Sequence, residues 1–464
     1  MTRRTAGPRW FIVAVVVTIV LSARALWWEF ASPIQGDTAW GLSVADQMAG
    51  GRELYRDIVD INPPLIFWLF GAARAIAGVL GVTPETVYRI LVLAVTLGVT
   101  WSAVALTRDR RWALALPLVL IVLVGRDFGQ RGHLILTLLV PLVLRPAVPS
   151  RGAELAIGIA AGLAICLKPF FAPVWLGLLV ARRKLTLTDL TIATTGTAYL
   201  GAVLVWARGY VEMVEVFGPV YQHFESVGVF ELVTRPETLG AIAVAGFACS
   251  AGERRLVWAT AASLVAFLVQ GKGWSYHAYP FASFALLGTV TTRRALPAIA
   301  AVAFVAIAWG VRIAHPEWRV ADYEFAGRRG LAPVAPGERA LLLYSIAPDA
   351  ALRIRERGAV SIASVQCLWW VKAGAGTEAE RMAQAIVARD VIEGRADWIA
   401  LESPTMSAKR VGPGFSVPRY LTADTAVGRV LADDFTLVDT TGVLWLYRRT
   451  DRLGPSLGER PGLE

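Results

Sequence analysis

Ionisable side chains gather in a few short stretches between long apolar runs. Asp37 follows the first run, in GDTAW, and Asp57 and Asp60 stand in YRDIVDINPP. Asp127, Gln130, Arg131 and His133 fill GRDFGQRGHL, Lys168 interrupts CLKPFF, and Lys272, Tyr276 and His277 occupy GKGWSYHAYP. Carboxylates offer a base. Arg131 and His133 suit a phosphate. Ionisable groups at headgroup depth are expensive unless used or paired, so each stretch is a candidate site. Each also has a plainer reading. Asp37 can cap a helix, Asp60 can open the Asn-Pro-Pro turn, and Lys168 can snorkel. GRDFGQRGHL can be a salt-bridged turn, and GKGWSYHAYP an ordinary interfacial one. Arg24 either joins a phosphate site or snorkels.

The elements that must hold these groups are membrane helices. Of 464 residues, 55% are hydrophobic and only 18% charged, against about 25% charged in a soluble domain. Apolar runs recur to about residue 312, which excludes a soluble enzyme, a disordered chain and a single-pass anchor. The pattern predicts helices at 10–28, 86–106, 112–125, 133–144, 153–167, 169–181, 188–207, 237–251, 255–270, 277–291 and 295–312, about eleven spans. The runs 112–125 and 133–144 are short, and are either tilted spans or a re-entrant pair. Apolar residues continue past Ala23-Arg24-Ala25 to Trp27 and Trp28, so the first run reads as an anchor and not a cleaved signal.

A net charge of +10 does not imply nucleic acid. The cations form clusters between spans: Arg3, Arg4, Arg9; Arg108, Arg110, Arg111; Arg145, Arg151; Arg182, Arg183, Lys184; Arg254, Arg255; Arg293, Arg294. With a cytoplasmic N-terminus all of them fall inside, as topology determinants do. Residues 29–85, 126–132, Lys168–Pro169, 208–236 and 271–276 are then outer connections. The domains expected are a membrane domain at 1–314, an extracytoplasmic α/β domain at 315–453 and a flexible tail at 454–464. In the second, strands are expected at Arg339–Ser345, Val360–Val371 and Trp398–Leu401, with a hairpin over Phe435–Arg448 and helices at Pro348–Arg357 and Glu378–Ile392. Cys166, Cys249 and Cys367 show neither disulfide nor zinc spacing.

The outer loop 29–85 predicts a helix from Asp37 to Met48 ending at Gly50-Gly51, then a surface-lying helix over Leu65–Leu80. Its string from GDTAW through GGRELYRDIVDINPPL to VYRI resembles the first outer loop of GT-C glycosyltransferases. These are the polyprenyl-phosphate-sugar enzymes that include protein O-mannosyltransferases and the lipid A aminoarabinose transferase. Asp37, Gly51, Tyr55, Asp57, Pro63, Pro64, Leu65 and Arg89 fill the family's places. Thr38 stands where many relatives carry a second acid, and Gly132 where some carry an acid between Arg and His.

The resemblance implies a GT-C fold and inverting transfer of a sugar from a polyprenyl phosphate to a hydroxyl or amine of a glycan, lipid or protein. Asp37 is then the base, with Asp60 a supporting acid. Arg131, His133, Lys168, Lys272, Tyr276 and His277 bind the donor phosphate. Arg24, Asp57, Arg89, Asp127 and Gln130 lend support. No cofactor is required by this reading, and a divalent metal stays open. The expected setting is a bacterial inner membrane with chemistry on the periplasmic face. A transporter or lipid-flipping protein, or a catalytically silent GT-C relative, is the alternative. Gly374–Ala379 matches G-x-G-x-x-A, but Glu378 and Glu380 oppose pyrophosphate there.

Overall fold

The computed structural model describes residues 8–145, 149–249, 254–290, 331–343, 350–362, 364–365, 374–393, 396–411, 413–422, 426–440 and 444–452. The expected span 295–312, Cys367 and the tail from 454 lie outside the described residues. In chain order the helices are α1 (Pro8–Ala31), α2 (Gly36–Ala49), α3 (Pro64–Leu80), α4 (Pro84–Thr107), α5 (Trp112–Pro117), α6 (Arg131–Val143), α7 (Arg151–Leu167), α8 (Ala172–Arg182), α9 (Leu187–Trp206), α10 (Gly209–His223), α11 (Val229–Thr234), α12 (Pro236–Cys249), α13 (Arg254–Gln270) and α14 (Ser275–Val290). Two compact units emerge. One comprises residues 1–35, 72–206 and 225–316; the other comprises 36–71, 207–224 and 317–464.

The first unit is helical. Its helix ends follow local chemistry. Thr83 caps α4, its hydroxyl accepting from the Thr86 amide, and Pro84 takes the first turn, where its missing N–H costs nothing. Ser150 caps α7 in the same way. Beyond Pro117, α5 widens into a π-helical stretch over Leu118–Leu123. On α7, Gly158 and Gly162 face Thr191 and Thr195 of α9, with space for a Cβ blocked at 2.5 and 2.7 Å by the threonine Cβ atoms. This small-residue seam lets two backbones approach closely, as membrane helices do. Phe267 and Phe281 join α13 to α14 with ring centroids 5.2 Å apart.

Outward faces are apolar. Val16 and Ile19 on α1, Leu97 and Trp101 on α4, and Leu200 and Leu204 on α9 are exposed, a pattern that points to hydrocarbon as the solvent. Helices stand at ten of the eleven expected stretches. By length and composition α1 and α4 are able to cross a membrane, and a third span results if α9 and α10 count as one broken span. The protein is thus mostly helical, with two or three candidate spans among the described residues against the eleven expected.

The second unit carries a small sheet: β1 (Arg339–Leu343), β2 (Val360–Ile362), β3 (Trp398–Glu402), β4 (Phe435–Thr440) and β5 (Leu444–Arg449), in the order β2-β1-β3-β5-β4. β1 pairs in parallel with β2 and β3, and β5 runs antiparallel to β3 and β4. Helices α15 (Ala350–Glu356), α16 (Glu378–Glu393), α17 (Pro404–Val411), α18 (Val417–Thr422) and α19 (Ala426–Asp434) complete it. Every residue of β3 is buried, as expected of a strand with neighbours on both sides.

The first outer loop is built into this unit. The Val59 amide donates to Ser364 O at 2.7 Å. Arg52 bonds Gln47, the Asp57 carbonyl, Ser364 and Asp390, and Arg389 pairs with Asp57 at 2.9 Å. Arg355 meets Asp46 at 2.5 Å. The segment 208–236, expected as a plain connection, instead holds α10 and α11. Met213, Phe217 and Val220 give α10 a buried stripe, a helical period that Glu212, Glu215 and Pro219 disguised.

Candidate functional site

The candidate residues fall into two groups, one in each unit. In the helical unit three turns converge. Gly125 and Gly129 adopt positive φ in the first, and Gly271 and Gly273 in the third, conformations glycine accepts without strain. The first turn closes onto α6, whose N-terminal end begins at Arg131. Gly132 touches the third turn so closely that a Cβ would lie 2.6 Å from the Tyr276 carbonyl oxygen. The second is the break at Lys168, which ends α7 in extended backbone before Pro169.

His277 sits at the meeting point. It is buried, and Lys168 Nζ donates to its Nε2 across 3.1 Å. Lys168, Arg131 and Lys272 all act electrostatically on the ring. The proton of the neutral ring is then on Nδ1, which has no acceptor among the described residues. An anion placed here lies in the field of three cations, beside an N–H donor. Lys272 is buried beneath the ring of Trp274, 6.0 Å from its centroid. Burial pulls its ammonium pKa down to about 8, with Glu225 opposing. Trp274 is held by Glu225 at 2.9 Å, and Tyr276 stacks on Trp274 and stands edge-on to His277.

His133 lies in the same first turn but is committed to it. Its Nδ1 accepts from the Gly129 amide at 3.0 Å, and Phe128 lies against its ring. The carbonyl of Gly129 accepts from Tyr88 at 2.5 Å. Gln130 precedes α6 as its cap residue, and Asp127 is buried beside it. Arg89 is paired with Glu29 at 2.9 Å and donates to Ser32 O, so it ties α4 to the end of α1. Arg24 is exposed, with its guanidinium 5.0 Å from the Trp27 centroid.

In the second unit Asp37 lies in the first turn of α2, one residue inside the helix start and not at the cap, where a carboxylate is favoured by the helix dipole. Asp60 is buried. Its Oδ2 accepts from Trp40 Nε1 at 2.7 Å and its Oδ1 from the Asn62 amide at 2.6 Å, so it does form the turn ahead of Pro63-Pro64. Asp57 pairs with Arg389. Tyr55, at φ 70, donates its hydroxyl to the Asn62 carbonyl. At Gly374–Ala379, the Gly376 amide that would hold a phosphate donates to Glu380 at 2.6 Å.

Sequence reasoning missed Arg235, whose guanidinium wraps Gly273 and donates to its carbonyl, and also Glu225, Glu29 and Trp40. Trp40 was legible as a turn-spaced neighbour of Asp37; the others act only through distant contacts. Among the described residues no three His, Cys, Asp or Glu side chains form a group able to hold a metal ion. No protein-family model matches the chain, and neither does any curated protein.

Proposed function

We propose that this protein is an integral membrane glycosyltransferase of the GT-C type, which moves a sugar from a polyprenyl phosphate to an acceptor hydroxyl or amine with inversion. The observation that carries the reading is the convergence of Arg131, Lys168 and Lys272 on the buried His277, from three turns that the charge pattern assigns to one membrane face. Such a cluster suits a phosphate that leaves as a weak base and needs little protonation. In the proposed step the acceptor oxygen or nitrogen attacks the anomeric carbon. The bond from that carbon to the phosphate oxygen breaks, and the acceptor proton passes to a carboxylate base, the role that the resemblance gives to Asp37. The phosphate stays on its lipid, its new charge held by the three cations. The proposed setting is the periplasmic face of a bacterial inner membrane, with the α/β domain on that side.

The test is transfer of radiolabelled sugar from a panel of polyprenyl-phosphate donors by the purified protein and its Asp37→Asn variant. Removal of a positioned base lowers the rate by about 10²–10⁴-fold. Equal rates remove Asp37 as the base. Failure of the wild type with every donor removes the function itself.

A further inference from the structure

Each helix that brings a cation to His277 carries another charged residue at its far end. From Arg131 to Arg145 along α6, from Glu154 to Lys168 along α7, and from Lys168 to Arg182 along α8, the chain covers about 20 Å at about 1.5 Å per residue. α13 likewise begins at Arg254 and ends just before Lys272. The far ends meet. Arg255 donates to the backbone carbonyl of Arg145, and Arg145 pairs with Glu154 at 2.5 Å. Arg182 pairs with Asp189 at 2.6 Å and feels the charges of both Arg145 and Arg255.

Among the described residues this cluster is not balanced by its acids. Asp189 is already saturated by Trp175, Arg182 and the amide and hydroxyl of Thr186. Arg145 is only 6% exposed, yet its Nε–H has no acceptor among the described residues, and neither has that of Arg182. A buried donor without an acceptor costs about 1–3 kcal/mol, so an arrangement that keeps two of them asks for an external anion. The surroundings say which kind. Leu155, Val180, Leu185, Leu190 and Trp258 stand within three residues of Glu154, Arg182, Asp189 or Arg255 along the chain and are exposed. Free phosphate gains nothing from such a rim, whereas a lipid lays its acyl chains on it.

We propose that Arg145, Arg182 and Arg255 form a binding site for the phosphate headgroup of an anionic lipid, at the end of the helices opposite His277. The site is independent of the glycosyltransferase reading. In that membrane setting it serves the cytoplasmic leaflet, where basic pockets between helices take anionic headgroups.

The experiment is native mass spectrometry of the full chain released from phosphatidylcholine nanodiscs containing phosphatidylglycerol, with Arg255→Gln and Arg110→Gln compared. Arg110 is an exposed cation in another basic loop and controls for net charge. Wild type and Arg110→Gln should retain one phosphatidylglycerol, and Arg255→Gln about fivefold less, as the loss of one headgroup-contacting cation implies. Equal retention by Arg255→Gln, or equal loss in Arg110→Gln, overturns the site. Displacement of the lipid by millimolar inorganic phosphate overturns the lipid assignment and leaves a free-phosphate site. Absence of sugar transfer by the wild type, with its phosphatidylglycerol retained, counts against the enzyme reading alone.

Discussion

Lys168 Nζ and His277 Nε2 lie 3.1 Å apart, joined across 109 residues of sequence. A lysine ammonium has no acceptor capacity, so the imidazole must accept at Nε2. The histidine therefore aims the ammonium and keeps its own Nδ1–H for another partner. Replacing Lys168 by Gln should lower sugar transfer by on the order of 10²-fold. Lys168→Arg, which keeps the charge on a different donor geometry, should recover part of it. The check is kcat and KM for the lipid donor in all three proteins. An unchanged kcat/KM in Lys168→Gln removes the lysine from the phosphate site.

Gly132 explains its own departure from the Arg-acid-His pattern. A side chain there would strike the backbone oxygen of Tyr276 at 2.6 Å, and backbone cannot swing aside as a flexible side chain does. Gly132→Ala should cost about 1–3 kcal/mol and spread the first turn from the third. Thermal unfolding combined with donor affinity checks this. Wild-type stability with wild-type affinity would mean the two turns are not held as tightly as the structure has them.

Much of this was legible because the sequence segregates its chemistry. Ionisable residues confined to short breaks between apolar runs have few places to go, and GRDFGQRGHL, CLKPFF and GKGWSYHAYP duly meet. In the α/β region, alternation and capping mark β1, β3, α16 and the hairpin within a residue or two. The failures share a cause. Nothing local tells Arg52 and Asp57 that their partners are Asp390 and Arg389, more than 300 residues away. Nor does it tell Arg235 that it will wrap Gly273. α10 was lost for a different reason: two glutamates and a proline hid a regular Met213, Phe217 and Val220 stripe.

Lys272 should make donor binding sensitive to pH. Its ammonium pKa is drawn down to about 8 by burial, so it is charged below that value and neutral above. Affinity for the anionic donor should fall as pH rises through about 8, well before an exposed lysine would respond. Lys272→Arg, charged throughout, should flatten the profile. Stability moves the opposite way. The unfolded chain holds this proton up to about pH 10.5, so folding gains stability between about 8 and 10.5. Donor affinity measured from pH 6 to 10 checks the first part. An identical profile in Lys272→Arg would assign the titration elsewhere.

Asp390 carries a second pH dependence, in the α/β unit. Burial raises its carboxyl to about 6, although Arg52 and Arg389 pull it down, while Asp57 adds to the rise. The folded chain therefore binds the proton more tightly than the unfolded one between about pH 4 and 6. Stability contributed through this group declines as pH rises across that window. Unfolding curves of wild type and Asp390→Asn, taken from pH 4 to 7, should diverge over the same range, with the wild type losing ground. Parallel curves would show that Arg52 compensates the buried charge fully.

Asp60 and Asp37 were both candidate acids, and their surroundings divide the roles. Asp60 is buried and spends one oxygen on the Trp40 indole and the other on the Asn62 amide, so its charge serves the turn that launches α3. Hydrogen bonds to a charged acceptor contribute about 1.5–3 kcal/mol each. Asn keeps the shape but offers one acceptor where two were used, and it sets an amide hydrogen against a donor. Asp60→Asn should therefore lower the unfolding midpoint while leaving kcat close to wild type at temperatures where the variant is folded. Asp37→Asn should do the reverse, with a helix-dipole loss of about 0.3–1 kcal/mol and a collapse in kcat. Matched unfolding and transfer measurements on the two variants make the comparison direct. A kcat loss in Asp60→Asn equal to that in Asp37→Asn, at unchanged stability, would move Asp60 from the turn into the chemistry.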